Sequence, residues 1–249
     1  ANLVLSKFLI KKGIKVCIYH SKNNFKISPT RTIAISKSNV DFLHSIGLDI
    51  SKFSWPVKNI KIFNEKNKFK ELFNFKNKDK YLFLLVRNKY FFSFLEKILK
   101  KDKNFSMKTI NKSFKYNKLI NEQCDIIINS DSKNILSKIY FSKRIKKNYN
   151  SKAITTIINH QVIKNDCAYQ VFTKFGPLAF LPYSKNKTSV VFSFNSSNKE
   201  ISDYQIKNII LKYNKFYKIK SFSIFEKFNL DLSLSKNYYY KNILGFSDN

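Results

Sequence analysis

The sequence predicts an α/β fold built around a large antiparallel sheet, and three observations carry that expectation. The chain opens on apolar residues at helical intervals, then a glycine and a short buried-strand run, which is the second half of a βαβ unit. Between Ala153 and Phe194 it passes from strand to strand with only turn chemistry in between. Apolar runs of the buried, parallel type stand near both ends and enclose that sheet, as when one domain is inserted into another.

Taken in order, residues 1–12 place Leu3, Leu5, Phe8, Leu9 and Ile10 at helical spacing, and Gly13 is the residue type that ends such a helix. Ile14-Lys-Val-Cys-Ile-Tyr19 follows as a buried strand. This arrangement calls for an upstream strand and a phosphate-binding turn, so the chain reads as a piece of a longer domain. Arg31-Thr-Ile-Ala-Ile35 starts strand-like and leads to a helix through Val40, Phe42, Leu43 and Ile46, closed by Gly47. From Val57 to Phe75 apolar and charged residues alternate, the pattern of half-exposed antiparallel strands. Tyr81-Leu-Phe-Leu-Leu-Val86 is strand-length, and Tyr90 to Leu99 is an amphipathic helix. Cys124-Asp-Ile-Ile-Ile-Asn129 is a second buried strand that runs into the polar turn Ser130-Asp-Ser-Lys-Asn134. The sheet region holds the strands 153–158, 168–172, 178–181 and 189–193, with turn residues at 164–166 and 184–187. Residues 201–213 read as a helix with Ser202 as N-cap, and 238–246 as one more apolar strand.

Composition narrows the function classes. Apolar residues make up 43% of the 249, enough for a sizeable core, so global disorder is excluded. The balance of 47 Lys and Arg against 16 Asp and Glu, a formal charge of +31, raises nucleic acid and anionic membrane as partners. The charge is mostly Lys and is scattered along the whole chain, which favours a solvated basic face over a specific nucleic-acid site. Cys17, Cys124 and Cys167 form no disulfide framework and no metal pair, and they suit a reducing cytoplasm. His20, His44 and His160 are equally scattered, so no metal site is expected. No apolar run approaches the roughly 20 residues needed to span a bilayer. The sequence holds no GxSxG elbow, P-loop, HExxH or GxGxxG motif.

Information comes instead from five blocks in a fixed order. These are Arg31-Thr-Ile-Ala-Ile-Ser36 with Leu43 and Gly47-Leu48; Trp55-Pro-Val-Lys-Asn-Ile-Lys-Ile62; and Asp125-Ile-Ile-Ile-Asn-Ser-Asp131. Then come Ala168-Tyr-Gln-Val-Phe172 with Gly176-Pro-Leu-Ala-Phe-Leu-Pro182 and Thr188-Ser-Val-Val-Phe-Ser193, and last Asn242-Ile-Leu-Gly-Phe-Ser-Asp248. Across essentially the whole chain they resemble, in family order, the FAD-dependent aromatic hydroxylases of ubiquinone biosynthesis, which are para-hydroxybenzoate hydroxylase-like flavoprotein monooxygenases.

That resemblance implies a glutathione-reductase-like FAD-binding domain, incomplete at both ends, with an inserted antiparallel-sheet substrate domain. Residues 1–55, 88–150 and 233–249 are then parts of the FAD-binding domain, and 56–87 with 151–232 form the substrate-binding sheet. It implies FAD and NAD(P)H as cofactors, O2 and a polyprenylated phenol as substrates, and a flavin C4a-hydroperoxide as oxygenating species. In such enzymes the cofactor carries the hard chemistry, so no acid–base dyad is demanded and no catalytic residue is singled out. Carried over position by position, Arg31 matches an Arg that helps hold the FAD pyrophosphate. Arg87 or Asn88 falls where a polar side chain touches the ribityl chain. Asp131 matches an Asp near the flavin and the dinucleotide route, and Asp248 one that accepts a hydrogen bond from the ribityl chain. Asp131 and Asp248 are expected to converge beside one ligand.

Four positions depart from the pattern, one of them Ser130, which stands where the family has alanine. His20 stands where the family has an acidic acceptor for the adenosine ribose, and Ser132 and Ser247 stand where it has glycine. The basic surface adds an anionic membrane as an expected contact, with a cytoplasmic protein peripheral on the inner membrane, beside partners in ubiquinone biosynthesis. Two alternatives stay open: a basic nucleic-acid- or membrane-binding protein on a decayed flavoprotein fold, and a flavin hydroxylase of a soluble aromatic.

Overall fold

The structure is a computed structural model, and it describes residues 1–21, 28–67, 69–76, 80–111, 114, 116, 119–120, 124–195 and 201–246. The elements begin with α1 (Asn2–Lys11), β1 (Val16–Ser21), β2 (Thr32–Ser36), α2 (Lys37–Ser45), β3 (Ser54–Val57), β4 (Asn59–Asn64) and β5 (Lys70–Lys76). Next are β6 (Phe83–Arg87), α3 (Asn88–Leu99), β7 (Phe105–Ile110), β8 (Ile127–Asn129), α4 (Ile135–Tyr140), β9 (Arg144–His160) and β10 (Cys167–Thr173). The remainder are β11 (Gly176–Ser184), β12 (Lys187–Asn195), α5 (Asp203–Tyr213), β13 (Ile219–Phe222), β14 (Glu226–Ser235), β15 (Tyr239–Tyr240) and β16 (Ile243–Gly245). They group into two compact units, Ala1–Lys26 with Ile98–Tyr149 and Asp231–Asn249, and Ile27–Lys97 with Asn150–Leu230.

In the first unit α1 buries Leu3 and Ile10, and Gly13, at φ +82°, lets Ile14 N–H reach back to the Leu9 carbonyl at 3.1 Å. β1 then runs parallel to β7, from Val16 opposite Phe105 to Ser21 opposite Ile110. β7 was not expected from the sequence, because its Phe-Ser-Met-Lys-Thr-Ile run is half polar and buries no side chain. β8 runs parallel to β16, with Asn129 opposite Gly245. Parallel pairing is therefore present, but among the described residues it forms two small sheets, β1–β7 and β15–β16–β8, and no single continuous one.

The single strand expected over 238–246 is a tight hairpin. Tyr239 pairs with Leu244 and Tyr240 with Ile243, and Lys241 turns the chain at φ +49°. The turn residue Asn242 donates from Nδ2 to the Cys124 carbonyl at 2.9 Å, and Tyr240 stacks on Tyr140 at 4.4 Å. The expected strand at 124–129 begins only at Ile127, and α4, absent from the sequence reading, buries Leu136 against Phe141 and Ile243.

The second unit is dominated by a sheet of order β13-β9-β12-β11-β10-β4-β5, with β14 also pairing with β9. Its centre is antiparallel as expected, but β4 joins β10 in parallel, from Asn59 opposite Cys167 to Asn64 opposite Phe172. One face is legible in the sequence: Leu178, Phe180 and Pro182 alternate inward along β11. Against that face α5 lays Ile206, Ile210 and Tyr213, all but fully buried. Each such side chain stabilises by about 1.5–3 kcal/mol. α5 starts where expected, because the Ser202 side chain accepts from Gln205 N–H and the Gln205 side chain answers on the Ser202 N–H, a capping box.

A smaller antiparallel sheet, β2–β6–β3, sets Thr32 opposite Arg87 and Val57 opposite Phe83. These strands lie in the second unit, which takes in residues 27–97. β13 and β14 were also unforeseen, since their charged and serine-rich runs carry few buried residues.

His160 closes β9 in a buried polar knot. Its Nδ1 lies 2.7 Å from the Gln161 carbonyl and its Nε2 2.9 Å from Thr188 Oγ1, while Tyr217 donates to Asn165 Oδ1 at 3.1 Å. Burial pushes the His160 pKa down, the backbone bond to Gln161 offsetting only part of this. The unfolded chain then binds a proton that the folded one refuses, so stability falls as pH drops below about 6.5. Urea unfolding midpoints should decline from about pH 7 to about pH 5, and His160→Gln should flatten that slope.

Candidate functional site

The candidate site in the second unit is built where β2 begins beside the end of β6. Their register brings Arg31, Arg87 and Asn88 together although 56 residues of sequence separate the two arginines. The Asn88 N–H donates to the Arg31 carbonyl at 3.1 Å, and Asn88 opens α3. No acidic residue occupies the first turn of α3, so its positive end is uncompensated. The Arg31 side chain is exposed, and among the described residues it makes no hydrogen bond or ion pair.

Arg87 is differently placed. Its Nη2 donates to the Pro29 carbonyl at 3.0 Å and its Nη1 to Tyr90 Oη at 3.3 Å. The guanidinium lies 5.0 Å from the Tyr90 ring centroid and 5.8 Å from that of Tyr183. Its Nε is shielded from solvent and lacks a partner. Beside it opens a cavity of about 330 Å³ lined by Phe53, Leu85, Arg87, Tyr90, Tyr183 and Lys187, among others. Burial raises the Tyr183 hydroxyl pKa, and the nearby Arg87 charge pulls it part of the way back. Cation, aromatic walls and no lining carboxylate suit a planar, electron-rich or anionic guest.

Asp131 lies in the first unit, in the turn between β8 and α4. Its Oδ1 accepts from the Lys133 N–H at 2.9 Å, while its carbonyl accepts from Ser137 Oγ at 2.6 Å. Behind it, buried Asn129 donates to Ser137 Oγ at 2.8 Å, and the Asn134 side chain donates to Asn129 Oδ1 at 2.6 Å. This knot fixes the turn, and Ser130 is held by Asn2 at the start of α1. Positive φ among the described non-glycine residues occurs at Phe69, Asn150 and Lys241, so Ser132 takes an ordinary backbone conformation in place of the family's glycine. The strand before Asp248 is the parallel neighbour of the strand before Asp131, and the Phe246 N–H donates to the Asn129 carbonyl at 2.9 Å. Asp248 and Ser247 themselves lie outside the described residues. His20, next to last in β1, has Nε2 3.4 Å from Thr109 Oγ1.

No known protein-family profile matches the chain, and no curated protein sequence matches it. Solved structures do. The p-nitrophenol 4-monooxygenase of Pseudomonas putida superposes with a TM-score of 0.75 at 12% identity, over 99% of this chain and 69% of that one. A 2-methyl-3-hydroxypyridine-5-carboxylic acid oxygenase follows at TM-score 0.72 and 10% identity, over 99% and 72%. PqsL of Pseudomonas aeruginosa, described as a probable FAD-dependent monooxygenase, gives 0.69 at 10%, over 99% and 75%.

The fold is that of the FAD-dependent monooxygenases. These likenesses do not favour the alternative of a basic nucleic-acid-binding protein.

The residues of this monooxygenase fold fit FAD by the chemistry of their donors. A phosphate-bearing cofactor calls for cations and backbone N–H groups, which the unpartnered Arg31 and the acid-free start of α3 offer. Among the described residues no group of His, Cys, Asp and Glu gathers as a metal ion would need, and no helix is long and apolar enough to cross a membrane. Sequence reasoning missed Tyr90, Tyr183 and Glu226. Tyr90 follows Arg87 by three positions and could have been found locally, whereas Tyr183 is brought to Arg87 from β11 only by the fold, and nothing local in the sequence marks Glu226.

Proposed function

We propose that the protein is an FAD-dependent monooxygenase that hydroxylates an aromatic ring, with a polyprenylated phenol of ubiquinone biosynthesis as substrate and NAD(P)H as electron donor. The observation that carries this reading is the likeness, over 99% of the chain, to monooxygenases that act on aromatic compounds. When bound and reduced, the flavin supplies the activation of O2 that lets one oxygen atom enter the ring.

The chain's own residues bind and orient. Arg31 meets the pyrophosphate, Asn88 or Arg87 the ribityl chain, and Asp131 the flavin region; Asp248 accepts from a ribityl hydroxyl. The cavity walled by Phe53, Tyr90 and Tyr183 has room for a single aromatic ring. A prenyl tail keeps its phenol in the membrane, and the formal charge of +31 brings the protein to anionic lipid, so we place it in the cytoplasm, peripheral on the inner membrane.

The test is a flavin titration of the protein at its natural full length, followed by NAD(P)H oxidation under air. Saturable flavin binding is expected, with a hydroxylated ring as product and faster turnover on a prenylated phenol than on the bare ring. A protein that stays colourless at saturating FAD ends the proposal. Equal turnover on the bare ring would remove only the prenylated substrate.

A further inference from the structure

We propose that Glu226 is a positioning residue: its carboxylate holds the segment Ser28–Arg31 in the one conformation that presents the Arg31 guanidinium to an anionic ligand. The inference rests on the proposed cofactor role of Arg31 and extends it to a residue nearly 200 positions away. A single oxygen of Glu226, Oε2, accepts from Ser28 Oγ at 2.5 Å, from the Thr30 N–H at 3.1 Å and from Thr30 Oγ1. Thr30 is buried, and its Oγ1 also lies 2.8 Å from Thr155 Oγ1 on β9. Ser28 Oγ in turn accepts from the Arg31 N–H at 3.1 Å. Arg87 Nη2 takes the Pro29 carbonyl, and the Asn88 N–H takes that of Arg31. Backbone or side-chain bonds therefore engage all four residues in a row.

Among the described residues, the Arg31 guanidinium remains unengaged. A pinned backbone carrying one unpartnered cation is the arrangement of a preorganised ligand contact, in which little ordering is left for the moment of binding. The carboxylate is itself unusual. In a chain with 47 Lys and Arg, no cation among the described residues pairs with Glu226, and its charge goes to neutral donors instead. Burial works against ionisation, yet the bonds from Ser28 and Thr30 outweigh it and keep the group below the usual carboxylate range. Its neighbour Lys227 anchors the start of β14 by bonding Asp203 Oδ1 at 3.0 Å and the Ile201 carbonyl at 3.2 Å. The clamp therefore sits on a fixed base.

A double-mutant cycle on the full-length protein tests this, reading FAD affinity by flavin fluorescence and stability of the cofactor-free protein by thermal melting. Glu226→Gln and Arg31→Ala should each weaken FAD binding roughly tenfold or more, and the double variant should be no weaker than Arg31→Ala alone. Stability should respond to Glu226→Gln but not to Arg31→Ala, because the Arg31 side chain has nothing to lose in the free protein. If the two affinity losses multiply, Glu226 does not act through Arg31 and the inference is overturned. Wild-type affinity in Glu226→Gln beside a weakened Arg31→Ala overturns the inference alone. Wild-type affinity in Arg31→Ala overturns the cofactor reading of Arg31 and the inference with it. Should Glu226→Gln fail to fold, Thr30→Val removes one donor of the same clamp and must show the same non-additivity with Arg31→Ala.

Discussion

Gly176→Ala should destabilise the fold by on the order of 3 kcal/mol, lowering the melting temperature by roughly 10 °C. Gly176 opens β11 at φ +137°, a backbone conformation that side-chain-bearing residues rarely adopt. A Cβ added there would run into the Ser193 carbonyl oxygen of β12, and that neighbour is backbone, so it cannot swing aside. The turn before it is equally set: Thr173 Oγ1 donates to the Gly176 carbonyl at 2.7 Å and accepts from the Phe175 N–H at 3.1 Å. The Gly-Pro-Leu-Ala block that carries the strongest family resemblance thus begins with a steric requirement of the sheet. Circular-dichroism melts of the two proteins decide the matter. A variant melting within a degree or two of the wild type would mean that β11 and β12 relax apart without penalty.

Phe180→Ala should be still more damaging, about 3–5 kcal/mol, because a fully buried ring is replaced by a methyl group and a cavity. Phe180 points from β11 into the core beneath α5 and meets Phe216 edge-on at 5.7 Å and Tyr217 at 5.9 Å. Those two aromatics extend to Tyr169, which stacks on Phe216 at 3.9 Å, so the ring is the hub of an aromatic cluster. Phe180→Leu keeps most of the apolar volume and should cost less than about 1.5 kcal/mol. Denaturant titration at constant slope measures both. Equal losses for Ala and Leu would show that the aromatic contacts, and not the volume, hold this part of the core.

Much of the fold was legible locally. Gly13 and Gly47 end helices at φ near +80°, the left-handed C′ position that glycine takes without strain. Ser202 caps α5, and the inward alternation of Leu178, Phe180 and Pro182 named the sheet's buried face. Where the sequence misled, a half-exposed strand was involved. β7 and β13 carry Lys, Ser or Thr at many positions and bury no side chain, and β14, although it alternates apolar and polar residues from Phe228 to Ser235, buries only its last residue. The 238–246 run looked continuous because its aromatic and aliphatic residues outweigh the turn signal of Asn242, and Lys241 in a left-handed conformation breaks it.

The sequence by itself determined the class of fold, the central strands and the main helices, because periodicity, caps and turn residues act within a few positions of one another; Arg31, Arg87 and Asn88 were named only by the family resemblance. Tertiary structure alone decided that β4 lies parallel to β10, that Arg87 is occupied by Pro29 and Tyr90 while Arg31 is left open, and that Glu226 grips Ser28 and Thr30. Those contacts join residues up to 198 positions apart, and the hydrogen bonds that select them exist only once strand register has brought the chain together.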